Sequence, residues 1–292
     1  MSKDLLVPGV LACVLTFPVC AETVLHEERS LYRNILVYQE GQERCLKFGR
    51  REEARQTCRL QNDPDQLIFS YTRMMMAALY LNPSPKRVLI IGLGGGTLPG
   101  ALRKAVPTAQ IDVVEIDPAV TRVAYKYFGF EPGTLTQVYE QDGRMFVKKK
   151  LREKVTYDLV MLDAFTDQYI PEHLLTQEFL REVKGVMTPN GVLAANTFSH
   201  SGLYDHESAT YASVFGQFFG LKTNSRVILT RLGSMPTQQE LRINAQAIEG
   251  KLRPMGTGAD YLLSKFVIDT GWPSGTRVLT DQYSPANLLN LR

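Results

Sequence analysis

From Val88 onward the chain alternates two kinds of segment, and that alternation narrows the folds open to it. "RVLII", "QIDVVEI", "YDLVMLD" and "GVLAANT" are short, nearly continuous apolar runs. Between them stand "TLPGALRKAV", "PAVTRVAYKYF", "TQEFLREVKGVM" and "ESATYASVFGQFF", which carry helical spacing. Strands that are apolar on both faces belong inside a parallel sheet covered by helices on each side. The expectation is an α/β fold, a doubly wound and mostly parallel sheet, with later strands at "RVILTR" and "SKFVID". Such sheets bind ligands beyond the carboxyl ends of their strands, where the strand order reverses.

Upstream the pattern changes. "NILVYQEG", "ERCLKFG" and "RQTCRL" are strand-like pieces separated by polar turns, so residues 22–70 read as a small antiparallel β-unit preceding the α/β domain at 71–292. "FSYTRMMMAALYL" (69–81) has helical spacing with Met74, Met75 and Met76 as core, and "NPSPK" stops it. Residues 1–21, "MSKDLLVPGVLACVLTFPVCA", hold an apolar run from Leu5 to Phe17 and "VCA" before Glu22. This reads as a secretory signal, too short to span a bilayer. A lipoprotein with Cys20 acylated fits poorly, because Val19 stands where a small residue is wanted. The other reading is a buried N-terminal segment. Export implies a periplasmic or secreted protein, and a buried segment a cytoplasmic one.

The cysteines bear on the same question. Cys13 and Cys20 lie in the leader, leaving Cys45 and Cys58. If the segment between them turns at Arg51–Glu52, the two fall opposite each other within disulfide reach. A disulfide fits an oxidising compartment; two buried free thiols are the alternative. Four scattered histidines and no C-x-x-C pair give no pattern for a metal site. A net charge of +3, from 33 basic and 30 acidic residues, gives no argument for nucleic acid or a membrane surface. "KKK" at 148–150 reads as a solvated helix face.

The candidate site follows the strand ends. "GLGGG" places Gly92, Gly94, Gly95 and Gly96 after the first parallel strand. The dinucleotide pattern G-x-G-x-x-G fails, since Thr97 stands where glycine or alanine is required. Glu115 ends the next strand, about 20 residues on, where a carboxylate accepts ribose hydroxyls and repels a 2′-phosphate. Asp142 in "QDGRMF" follows the third strand, placed to accept from an adenine amino group. Asp163 ends the fourth strand and Asp167 lies in the loop after it. Two acids there suit holding or deprotonating an amine.

Taken together, "VLIIGLGGGTLPGAL", "VVEIDP", "QDGRMF", "YDLVMLDAF" and "TQEFLREVKGVMTPNGVLAAN" resemble spermidine synthase and its bacterial spermidine-synthase-like relatives. These are aminopropyltransferases on the class I methyltransferase-like Rossmann fold. "ERSLYRNILVYQ" resembles the family's N-terminal β-unit, and "LTDQYSPANLL" the tail of the spermidine-synthase-like branch. The resemblance implies that the four glycines approach a sulfonium nucleoside, Glu115 binds its ribose, and Asp142 with Gly143 meets its adenine. It implies Gln56 beside the donor, and Asp163 holding the attacking amine with Asp167 as the second loop acid. The donor implied is decarboxylated S-adenosylmethionine, a co-substrate rather than a tightly bound cofactor, and the acceptor a small amine or polyamine. It further implies that the β-unit pairs with a second copy of the chain.

Two departures stand out. The synthases carry Tyr-His-Glu before the first parallel strand; here it is Tyr71-Thr72-Arg73, and an arginine at the pocket entrance disfavours a cationic acceptor. The second loop acid comes four residues after the first instead of three. Tyr71 and His173 read as acceptor-pocket wall, and His200 and His206 follow the fifth strand on the same sheet edge. Two other functions remain open: a methyltransferase with the same donor site, and a non-catalytic nucleoside- or polyamine-binding protein.

Overall fold

A computed structural model describes residues 22–49, 54–165, 170–199 and 201–285. The segment 1–21 read as a leader, the expected turn at Arg51–Glu52, Asp167 and His200 lie outside the described residues.

Four short strands, β1 (Thr23–Arg29), β2 (Asn34–Glu40), β3 (Glu43–Phe48) and β4 (Arg55–Leu60), form an antiparallel sheet in sequence order. Strands β2 and β3 are buried on both faces. One face packs Ile35, Val37, Leu46 and Phe48 against a helix of the larger domain; the other gathers Tyr38, Cys45 and Cys58. Cys45 stands opposite Cys58 in the register, with Cα atoms 4.1 Å apart, and the two form a disulfide.

Helix α1 (Ser70–Met76) runs into a 3-10 turn at Ala77–Tyr80. Met74, Met75 and Met76 are almost wholly buried, so this stretch is core. Strand and helix then alternate: β5 (Arg87–Ile91), α2 (Thr97–Ala105), β6 (Gln110–Glu115), α3 (Pro118–Phe128), β7 (Thr136–Glu140), α4 (Gly143–Arg152) and β8 (Tyr157–Leu162). They continue as α5 (Gln177–Gly185), β9 (Met187–Thr197), α6 (Tyr204–Phe215), β10 (Phe219–Lys222), β11 (Arg226–Arg231), α7 (Gln238–Leu252) and α8 (Ala259–Leu263). The seven strands lie in the order β10-β11-β9-β8-β5-β6-β7. Strands β5 to β9 are parallel, and β10 and β11 close one edge antiparallel. This is the doubly wound sheet expected, preceded by its small β-unit.

The order reverses between β5 and β8, which opens a crevice at their carboxyl ends. On one side of the sheet Met74–Met76 pack with Leu98, Leu102 and Ile248. On the other, Phe146 of α4, Phe179 of α5 and Tyr211 of α6 cover the strands. No helix among the described residues is long and apolar enough to cross a membrane.

Three local expectations differ. "SKFVID" is not a strand: only Ile268 makes a bridge, to Phe219. The helix expected to run through "GQFF" stops at Phe215, because Gly216 turns to φ +76° and Phe219 starts β10. On α4 the lysine run is only partly solvated; Lys149 is exposed, but Lys150 lies over the Phe146 ring at 5.1 Å.

Candidate active site

The strand ends of the larger sheet and the edge of the small one enclose a cavity of about 450 Å³. Gly92, Gly94, Gln56, Tyr71, Glu115, Asp142, Gly143, Asp163 and His173 all line it. Residues more than a hundred positions apart thus meet at the switch point of the sheet.

The glycine loop leaves β5 with Gly92 at φ +107°. A Cβ there would stand 2.3 Å from the Asp163 carbonyl oxygen, so only glycine lets β5 and β8 approach this closely. Gly95 and Gly96 do not line this cavity, contrary to the sequence expectation. They face a second cavity of about 320 Å³ beside Arg59, Arg103 and Phe130. The reason is local: Gly96 takes φ +80° to cap α2, and that turn carries the end of the loop to its other side.

Glu115 is buried at the end of β6. Its carboxylate accepts from the Leu93 N–H at 3.1 Å and the Asp117 N–H at 3.0 Å, which ties the glycine loop to the start of α3. Burial pushes its pKa up, against those two donors and the nearby Arg33 charge. Asp142 caps α4 by accepting from the Met145 N–H, and its other oxygen lies 2.8 Å from His173 Nε2. That histidine contact, opposed by burial, holds Asp142 below the usual carboxylate range. His173, expected on the acceptor wall, therefore pairs with the carboxylate expected to read adenine.

Asp163 stands just beyond β8. Burial pushes its carboxyl up to about 7, and the Asn196 side-chain amide, donating at 2.9 Å from the end of β9, opposes the rise. The Tyr71 hydroxyl, on the same cavity wall, is raised well above its ordinary value, by burial first and then by the Asp163 charge. Past Asp163 the wall is neutral and polar or aromatic, with Asn196, Phe198, Ser199, Asn224 and Ser225. Phe165 and Phe198 meet edge to face at 5.1 Å.

Arg73 is not at the entrance. It donates to the Leu67 carbonyl and lies near Gly256, because Tyr71 and Thr72 occupy the cavity side of α1 and the next residue turns away. The charge argument resting on Arg73 therefore falls, and the arginines that do line the cavity are Arg33 and Arg55. His206 is also elsewhere, 2.7 Å from the Arg277 carbonyl. Trp272 stacks on Phe218 at 5.5 Å as a packing residue.

Sequence reasoning missed Arg33, Phe48, Thr57 and Asn196, all of which line the cavity. Arg33 lies over the Phe48 ring at 4.3 Å and donates to the Phe165 carbonyl, joining the small sheet to the loop after β8. No local pattern marks Arg33, Phe48 or Thr57. Asn196 carries one signal, a polar residue ending an apolar strand. The resulting arrangement can hold a nucleoside across the ends of β6 and β7, and an amine on the far side of Asp163.

Comparison with known proteins agrees. The spermine/spermidine synthase domain matches residues 68–234. The polyamine aminopropyltransferase of Vibrio vulnificus (strain CMCP6) is 46% identical over 287 residues, 96% of each chain. The structure of a probable spermidine synthase from Corynebacterium glutamicum ATCC 13032 superposes with a TM-score of 0.67 at 18% identity, covering 88% of this chain and 96% of that one. Human methyltransferase-like protein 13, solved in complex with SAH, gives a TM-score of 0.59 at 30% identity over 63% of this chain and 93% of that one. A domain match over more than half of the chain and a relative 46% identical along nearly all of it place the chain in the spermine/spermidine synthase family.

Proposed function

We propose that this protein transfers the aminopropyl group of decarboxylated S-adenosylmethionine to a small amine or polyamine, releasing methylthioadenosine. The observation that carries the residue assignment is Asp163, a carboxyl raised to about 7 beside the glycine loop. Glu115 takes the ribose hydroxyls, while Asp142, oriented by His173, takes the adenine amino group. The 5′ sulfonium then lies over Gly92, with the carbon to be transferred facing Asp163.

In the reaction the amine lone pair forms the new C–N bond as the C–S bond breaks. The bonding pair returns to sulfur, leaving a neutral thioether, while Asp163 takes the proton that the acceptor ammonium gives up to free that lone pair. The protein contributes alignment of nucleophile and carbon and a base matched to neutral pH. No metal or redox group enters this balance.

A second reading is methyl transfer from S-adenosylmethionine, favoured by the likeness to a methyltransferase solved with its product. Incubation with decarboxylated S-adenosylmethionine and a panel of diamines and polyamines separates the two. Methylthioadenosine and an extended amine are expected. S-adenosylhomocysteine formed from the carboxylated donor instead would move the assignment to methyl transfer. Nucleoside binding without either product would make the protein a binder.

We also propose that the protein is exported. The apolar stretch Leu5–Phe17 ahead of "VCA", and the pairing of Cys45 with Cys58, support this reading. Export is tested by the mass of the protein recovered from the periplasm, which should correspond to a chain beginning at Glu22.

A further inference from the structure

The glycine loop is held by a residue from outside its own sheet. Thr57 on β4 accepts a hydrogen bond at 3.0 Å from the Gly95 N–H, a group buried from water. A Cβ at Gly95 would fall 2.5 Å from the Thr57 methyl, and one at Gly94 2.8 Å from its hydroxyl. Both branches of the threonine therefore press on the loop. Thr57 is itself buried, it lines the main cavity, and the residue after it is the disulfide-bonded Cys58. Strand β4 thus has little freedom to shift at this point.

The loop needs such a support. Gly92, Gly94 and Gly96 all sit at positive φ, and glycine has no intrinsic preference for that region over others. We propose that Thr57 is a positioning residue that locks the loop in its donor-binding conformation, so that the small sheet sets affinity for the nucleoside. This rests on the donor reading given above. Without the hydroxyl, the Gly95 N–H is buried and unpaired in the competent conformation. The loop then spends less time there, and apparent affinity falls by that fraction.

The experiment is calorimetric titration of methylthioadenosine into the wild type, Thr57→Val and Thr57→Ser, followed by steady-state kinetics with decarboxylated donor and an accepted amine. Valine keeps the shape and loses the acceptor; serine keeps the acceptor. Thr57→Val should weaken methylthioadenosine on the order of tenfold and raise the donor KM in parallel, leaving the amine KM unchanged. Thr57→Ser should bind close to wild type. The proposal is overturned if Thr57→Val binds as tightly as wild type, if Thr57→Ser is equally weak, or if the amine KM rises as much as the donor KM. A wild type that does not bind methylthioadenosine removes the donor reading itself, and shows this before any variant is compared.

Discussion

Asp163 owes its place in the mechanism to opposing forces on one carboxyl. Burial disfavours the anion and the Asn196 amide favours it, with a balance at about 7. Two consequences follow from the sign. As the free protein's base, Asp163 should give kcat/KM a rising limb near pH 7, well below the amine's own titration at about 10. Asp163→Asn should abolish that limb and lower kcat by about 10²–10⁴-fold, the usual contribution of a positioned base. Asn196→Ala removes the opposing donor and should move the limb above 7, read from the same pH–rate profile. For stability the sign reverses. Between the ordinary aspartate value of about 4 and pH 7 the folded chain keeps a proton that the unfolded chain releases, so stability falls as pH rises through that window. Asp163→Asn should therefore raise the Tm of the unliganded protein more at pH 8 than at pH 4. Asp163 was legible because it ends an apolar strand in a fold that binds ligands at such ends. Asn196 was not, because it lies 33 residues away and only the register Leu162↔Ala195 brings it alongside. Arg73 was misplaced for a similar reason: adjacency along a helix does not mean the same face.

Among the elements, α4 shows how a sequence segment can carry both chemistry and anchorage. Its cap, Asp142, faces the cavity. Its next residue but one, Arg144, makes paired hydrogen bonds of 2.7–2.8 Å to Glu182 of α5 and to Asp281 in the tail. Asp281 also accepts from Thr176 Oγ1, the cap of α5, and its N–H donates to Glu178. The stretch "LTDQY" is thus a strap across α4 and α5. Arg144→Met would leave Glu182 and Asp281 facing each other with only Lys148, 3.6 Å from Glu182, as a neighbouring cation. With Arg144 largely buried and Asp281 partly exposed, a loss of about 2 kcal/mol is expected, measured by denaturant unfolding. The Arg144 hydrogen bond holds Asp281 below the usual carboxylate range, opposed by burial. Its contribution is therefore present at neutral pH and lost as pH falls below about 4, so the penalty of Asp281→Asn at pH 7 should shrink on acidification. The parallel strands and their helices were legible from apolar runs. Short edge pieces were not: β10 is four residues beginning where a helix-like stretch ends, and "SKFVID" has strand composition but almost no partner. Helix α7 escaped the apolar pattern, yet its start carried a readable mark. Thr237 and Glu240 form a capping box, each side chain accepting from the other's backbone N–H.

At the scale of the molecule, the cavity belongs to neither sheet alone. The larger sheet supplies Glu115, Asp142 and Asp163, while the small sheet supplies Arg33, Phe48, Gln56 and Thr57. The position of the small sheet depends on two things. Ile35, Val37, Leu46 and Phe48 pack on α3, and the Cys45–Cys58 disulfide joins β3 to β4. A crosslink spanning 13 positions restricts the unfolded chain by about 3 kcal/mol in the chain-entropy view. Because both sheets wall one cavity, that stabilisation should be felt at the donor site as well as in the melting curve. Full reduction, verified by alkylation of both cysteines, should lower Tm by several degrees. It should also weaken methylthioadenosine, and saturating methylthioadenosine should recover part of the lost Tm, since a ligand that binds only the folded state stabilises it by mass action. Two other patterns are distinguishable. A lowered Tm with unchanged affinity would mean that packing on α3 alone holds β4 over the glycine loop. Unchanged Tm with lowered affinity would mean that the disulfide orients β4 over the glycine loop without stabilising the fold. If the protein works outside the cytoplasm, it should be recovered with both cysteines already unreactive, and reduction should be needed to expose them.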